Sequence, residues 1–234
     1  MKNAHVFKVF VVWLICANQA VKSDSIVDEN ISSNTQEVQA AALAQTAETN
    51  FSFDNKEIGK VSTGWSRFFT GKGKLGHWEI INDHGNKVLA QTSKENFGYH
   101  FDVIVNNQLN YQDLEFSLQF KGMEGNEDQG GGPVWHFQDA NNYYVARANP
   151  LENNYRVYKV VDGNRKMLNS IDINISTGQW YTIKIIMRGN KIECYLNGEL
   201  QLSTLDNTFP NAGKIGVWTK ADAVTYFDNL NLKP

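Results

Sequence analysis

The sequence is poor in cysteine, in net charge and in long apolar runs, and each shortage removes a class of protein. Its 234 residues hold two cysteines, Cys16 and Cys194. Cys16 falls in an N-terminal segment that reads as removable, which leaves Cys194 alone and without an intramolecular disulfide partner. Cys194 stands in the strand-like run KIECYL, where a small buried apolar role fits better than a nucleophile. Charged residues make up 20% and the formal net charge is -3, with no basic cluster of the kind that binds nucleic acid or a membrane surface. The apolar run from Val9 to Ala17 is much shorter than the ~20 residues that cross a bilayer, so the mature chain is not expected to span a membrane. No HExxH, CxxC or EF-hand spacing is present.

What is there begins with an export signal. Lys2 and Lys8 give a positive start, Val9–Ala17 an apolar stretch, and Ala17, Ala20 and Ser23 small residues for cleavage. The residue before Cys16 is Ile15, which argues against a lipoprotein signal. Residues 1–23 are therefore expected to be a signal peptide, and the protein to be exported to the periplasm or the exterior. Residues 24–50 are rich in Ser, Asn, Gln, Glu and Ala and hold no aromatic residue, the composition of a flexible leader. Aromatics begin at Phe51, and the folded domain is expected over 51–234.

Within that domain, short apolar-alternating runs are separated by Gly, Asn and Asp clusters, and no long amphipathic helix appears. Twelve strands are expected, running from Trp78–Asn82 to Thr225–Leu232. The sharpest turn signal is Asn197-Gly198, a pair suited to the two positive φ angles of a type I′ hairpin turn. The pattern predicts an all-β, antiparallel β-sandwich or barrel.

Four stretches carry a family likeness: Phe53–Trp65 (FDNKEIGKVSTGW), Glu127–His136 (EDQGGGPVWH), Asn142–Asn154 (NYYVARANPLENN) and Gly213–Asp228 (GKIGVWTKADAVTYFD). Together they resemble exported bacterial proteins of the concanavalin A-like lectin/glucanase superfamily, in particular those of the 3-keto-disaccharide hydrolase domain, loosely grouped with family 16 glycoside hydrolases. The resemblance implies a jelly roll of two sheets whose concave sheet receives carbohydrate, an oligo- or polysaccharide. The sequence departs from the family twice. It lacks the E-x-D-x-x-E strand of family 16 glucanases, and GGGPVWH stands where related domains show an N-S-G type motif.

The candidate site residues lie mainly in these stretches. Glycoside hydrolysis usually needs two carboxyl groups about the scissile bond, and Asp128, Glu152 and Asp222 are the candidate loop carboxylates for that pair. Asp128 and Gln129 sit in the glycine-rich NEDQGGG segment, which either meets ligand, including Ca²⁺ or Mg²⁺ through its oxygens, or is a plain connection. Strict alternation over Val134–Gln138 puts Trp135 and Phe137 on the core face and His136 on the open face. Arg147 shares a face with Tyr143 and Val145 and needs either a carboxylate such as Glu152 or a ligand. Asn149 and Arg156 flank the same loop, where Glu152 and Arg156 pair or both meet sugar. Trp218 and Lys220 share a face, for stacking and hydrogen bonding to a sugar or for packing. Three functions follow as alternatives: a glycoside-cleaving enzyme, with 3-keto-glycosides among its candidate substrates, a non-catalytic glycan-binding module, and a laminin G-like surface interaction domain.

Overall fold

The computed structural model describes residues 48–61 and 63–234; the expected signal peptide and the leader up to residue 47 lie outside the described residues. The described part is an antiparallel jelly-roll sandwich. Its back sheet runs, in spatial order, β13 (Glu199–Leu205), β12 (Lys191–Leu196), β11 (Tyr181–Arg188), β6 (Leu114–Glu124), β15 (Val224–Lys233), β4 (Asn86–Gln91) and β3 (Trp78–Asp83), with β1 (Thr49–Phe51) also pairing β15. Its front sheet runs β10 (Asn164–Asp172), β9 (Asn154–Val161), β8 (Asn142–Asn149), β7 (Gly131–Asp139), β14 (Gly213–Lys220), β5 (His100–Tyr111) and β2 (Trp65–Gly71). Among the described residues no helix is long and apolar enough to cross a membrane.

The two sheets bury their residues differently. Along β6 burial alternates: Leu114, Phe116, Leu118 and Phe120 enter the core between the sheets, while Glu115, Ser117 and Gln119 point out. That is the period-two pattern of a sheet with one wet face. The front sheet has no such alternation over β7 and β8, which are buried nearly throughout. Tyr144, Ala146, Val157 and Val217 face the core, whereas Val103, Tyr143, Val145, Tyr158 and Trp218 form a second apolar layer on the outer side.

That outer side is concave. Arg165 on the edge strand β10 lies 4.9 Å from the ring of Phe101 on β5, although four strands separate β10 from β5 in the sheet. Tyr99, just before β5, reaches the same edge: its hydroxyl donates to Gly163 O at 2.9 Å and accepts from Arg165 N at 2.7 Å. Only a strongly curled sheet lets such distant strands touch.

Turn chemistry places the hairpins. Asn197 and Gly198 take φ values of 50° and 88°, as the type I′ expectation requires. Cys194, on the strand before this turn, is fully buried, and burial pushes its thiol well above the ordinary value. The structure adds three strands that the apolar pattern does not mark, β1, β2 and β10.

One expectation is reversed. Trp135 lies in the core between the sheets, but Phe137 lies in the outer layer and His136 does not face the open side. The cause is a β-bulge: Trp135 and His136 together oppose the single residue Ile215 of β14, and His136 has φ 48°. The extra residue shifts the alternation by one, so Phe137 changes face. His136 is instead buried beside Tyr144, with Nδ1 2.8 Å from Phe209 O and Nε2 2.7 Å from Gln112 O.

Gly213 seats the bulge, because a Cβ there would stand 2.4 Å from the carbonyl carbon of His136. Gly213→Ala is expected to cost about 1–3 kcal/mol through this backbone clash. Urea unfolding checks it, and an unchanged midpoint would refute the close approach.

Candidate functional site

Polar residues collect at one end of the concave face, around the guanidinium of Arg147. The side chain is 1% exposed and stands between the loop before β7 and the loop after β8. A buried cation is tolerated only when paired and hydrogen-bonded, and Arg147 is both. Nη1 binds Asp128 Oδ2 at 2.9 Å; Nη2 binds Glu152 Oε2 at 2.7 Å and Asn154 Oδ1 at 2.8 Å. Its Nε is buried with no partner among the described residues.

Asp128 is fully buried. It also accepts from Asn149 Nδ2 at 3.1 Å and Gly130 N at 2.7 Å, with Lys220 Nζ at 3.3 Å. Gly130 is required here, since a Cβ would stand 2.7 Å from both Arg147 Cδ and Asp128 Oδ1. Asn149 turns its own oxygen to Leu151 N at 2.9 Å, the Asx-turn that shapes the loop. Glu152 bridges Arg147 and Arg156, whose Nη1 lies 3.0 Å away. Burial pushes Glu152 up, but the bonds from Arg147 and Asn154 and the two cations outweigh it and hold the carboxyl at about 2.

Asp222, in the turn between β14 and β15, binds a different set of groups. Its carboxylate accepts from the backbone N–H groups of Asn126, Glu127 and Asp128, at 2.7, 3.0 and 3.1 Å. Burial raises its pKa, but the three amides lower it below the ordinary value. The NEDQGGG loop is thus folded around an internal anion, like the amide nests that hold external ones. Gln129 is tied to the same region, donating to Gly125 O at 3.1 Å and accepting from Thr177 Oγ1 at 2.7 Å.

The residues singled out from sequence therefore divide into groups. Asp128, Arg147, Asn149, Glu152, Arg156 and Lys220 come together in one network. Asp222 and Gln129 brace its loop, and His136 stands apart. Trp218 is in the concave layer but 0% exposed, with Nε1 donating to Tyr143 Oη at 3.2 Å and the Phe101 ring beside it. It cannot offer a face to a sugar without moving what covers it. Among the described residues no group of three or more His, Cys, Asp or Glu side chains is arranged to hold a metal ion.

Arg165 is the residue that sequence reasoning passed over. Its guanidinium lies 4.4 Å from the ring centre of Tyr158 and 5.8 Å from that of Trp218. Arg147 reaches the same Tyr158 ring at 6.0 Å, so the two cations flank one aromatic side chain. The available signal was Asp162-Gly163, an Asp-Gly pair that marks a hairpin and has φ values of 49° and 75° here. A strand after that turn carries Arg165 back over the concave face.

The class of protein is a two-sheet antiparallel jelly roll with a curled front sheet lined by aromatic rings and charged side chains. More specifically, the chain belongs to the 3-keto-alpha-glucoside-1,2-lyase-like domain family, whose pattern matches residues 64–233. No curated protein matches the sequence. Among solved structures, it is similar to the carbohydrate binding module CBM66 from Bacillus subtilis, with a TM-score of 0.61 and 19% identity over 74% of this chain and 96% of that one. It is also similar to Bacillus licheniformis beta-glucanase, with a TM-score of 0.56 and 10% identity over 80% of this chain and 98% of that one. Domain 4 of AbnA, a GH43 extracellular arabinanase from Geobacillus stearothermophilus, solved in complex with arabinotriose, gives 0.51 and 15% over 79% and 90%. At these identities the likeness is one of fold.

Two outcomes follow from the network. Arg147→Ala leaves Asp128 buried without its main partner and is expected to destabilise the fold by about 3–5 kcal/mol, read by urea unfolding. The depressed carboxyl of Glu152 adds stability above pH 4.5 that is lost as pH falls toward 2. Glu152→Gln should therefore be less stable than wild type at neutral pH, with the gap closing over that interval. A gap that stays constant down to pH 2 would contradict the ion-pair account.

Proposed function

We propose that this exported domain binds carbohydrate on the concave face of its front sheet and holds it without cleaving it. The observation that carries this reading is the state of the carboxylates. Asp128 and Glu152 are committed to Arg147, and Asp222 to three amides. Acid–base cleavage of a glycoside needs one carboxyl held protonated, whereas Glu152 and Asp222 are both held below the ordinary carboxylate value by their partners. What the face does offer is a rigid set of donors and acceptors beside aromatic rings: Arg156, Glu152 and Lys220 at the rim, Arg165 and Tyr158 further in. The planar guanidinium and carboxylate groups among them match pairs of sugar hydroxyls. The fold shared with CBM66 and with the arabinotriose complex of AbnA supports the same reading.

Cleavage of a glycoside, including a 3-keto-glycoside, is the second reading, favoured by the family to which residues 64–233 belong. The two are separated by measuring binding and product release together, on a glycan panel that includes 3-keto-glycosides. Binding without new reducing ends or elimination products is expected. Lys220→Ala, at the concave rim, should weaken binding about tenfold, the loss of a charge-assisted contact, while Lys184→Ala on the back sheet should not. Turnover by the wild type would overturn the non-catalytic reading, and equal effects of the two variants would remove the concave face as the site.

A further inference from the structure

The three arginines of the concave face are not equivalent. Arg147 binds Asp128 and Glu152, and Arg156 binds Glu152. The Arg165 guanidinium has neither a hydrogen bond nor an ion pair with any described residue, and its Nη1 is buried without a partner. Rings surround it instead: Tyr158 at 4.4 Å, Phe101 at 4.9 Å and Trp218 at 5.8 Å. Aromatic faces attract a cation but give its N–H groups no acceptor in the plane of the fork. Burial and the neighbouring Arg147 cation hold Arg165 below the ordinary arginine value, yet a guanidinium remains charged at neutral pH.

The surrounding charges do not balance it. Four cations, Arg147, Arg156, Lys220 and Arg165, share this region with three carboxylates, Glu127, Asp128 and Glu152, and each of those three already lies against a cation other than Arg165. Asp222 is turned to the loop amides. A neutral sugar laid on this face would satisfy some N–H groups while removing water from an unanswered charge, which is costly. A carboxylate or sulfate would satisfy both needs, through the paired contacts that the guanidinium fork favours.

We propose that the concave face takes an acidic glycan, whose uronate carboxylate or sulfate ester pairs with Arg165. This rests on the carbohydrate-binding reading above and adds the class of sugar.

The test is calorimetric titration of the full folded chain with two matched pairs: oligogalacturonate against its methyl ester, and sulfated galactan oligosaccharides against their desulfated form. At least one acidic probe is expected to bind, and masking its acid should weaken binding at least about tenfold. Arg165→Gln should abolish that difference, and Arg165→Lys, which keeps the charge without the fork, should fall between. Which pair responds tells carboxylate from sulfate. Arg165→Gln gives up ring contacts along with an unpaired cation, so it should melt only slightly below wild type; a large drop would reveal a structural role and overturn the proposal. Neutral probes that bind as tightly as acidic ones, or glycans bound only from the neutral panel, would sink the acidic class and leave carbohydrate binding intact. No binding to any glycan would sink both.

Discussion

The buried positive charge of Arg147 is the constraint on which the polar end of this domain depends. A guanidinium at 1% exposure must be answered within its own surroundings. The loop before β7 supplies Asp128, the loop after β8 supplies Glu152, and the start of β9 supplies Asn154. The loop before β7 and the β8–β9 turn are thereby drawn to one point. The same requirement explains the local sequence. Gly130 is small because the guanidinium stem passes beside it, and Asn149 completes Asp128 while turning the chain toward Glu152. Asp222 then secures the loop from the opposite side through its amides.

The curl of the front sheet gives this network its setting. A sheet buried on both faces normally lies between two layers of structure. Here the outer face is covered largely by its own aromatic side chains, brought together because β10 folds over toward β5. The result is an apolar floor with charge at its margin. The back sheet alternates apolar and polar residues and offers no comparable layer.

Much of the architecture was legible in the chain. Period-two runs and Asn-Gly or Gly-containing turns located most strands, and the likeness of four stretches to a known superfamily indicated the jelly roll. The faces of Tyr143, Tyr144, Val145 and Ala146 followed from alternation alone, and the pairing of Glu152 with Arg147 and Arg156 was among the open alternatives. Two features escaped. The bulge at His136 has no sequence signature, because a positive φ at a non-glycine residue is enforced by its neighbours, here the close approach of Gly213. The strand β10 was missed because NRKMLNSID lacks apolar alternation; it is held by pairing to β9, with Leu168 and Ile171 packed on the core.

The sequence by itself determined the class of fold, the hairpin turns and which residues are apolar enough to be hidden, since these depend on short-range pattern and backbone preference. Tertiary structure decided which charges are answered and which are not. Arg147 and Arg165 are the same residue type in strands of one sheet, yet long-range packing brings Asp128 and Glu152 to the first and only aromatic rings to the second. Electrostatic partners are set by through-space distance, and local sequence does not carry that distance.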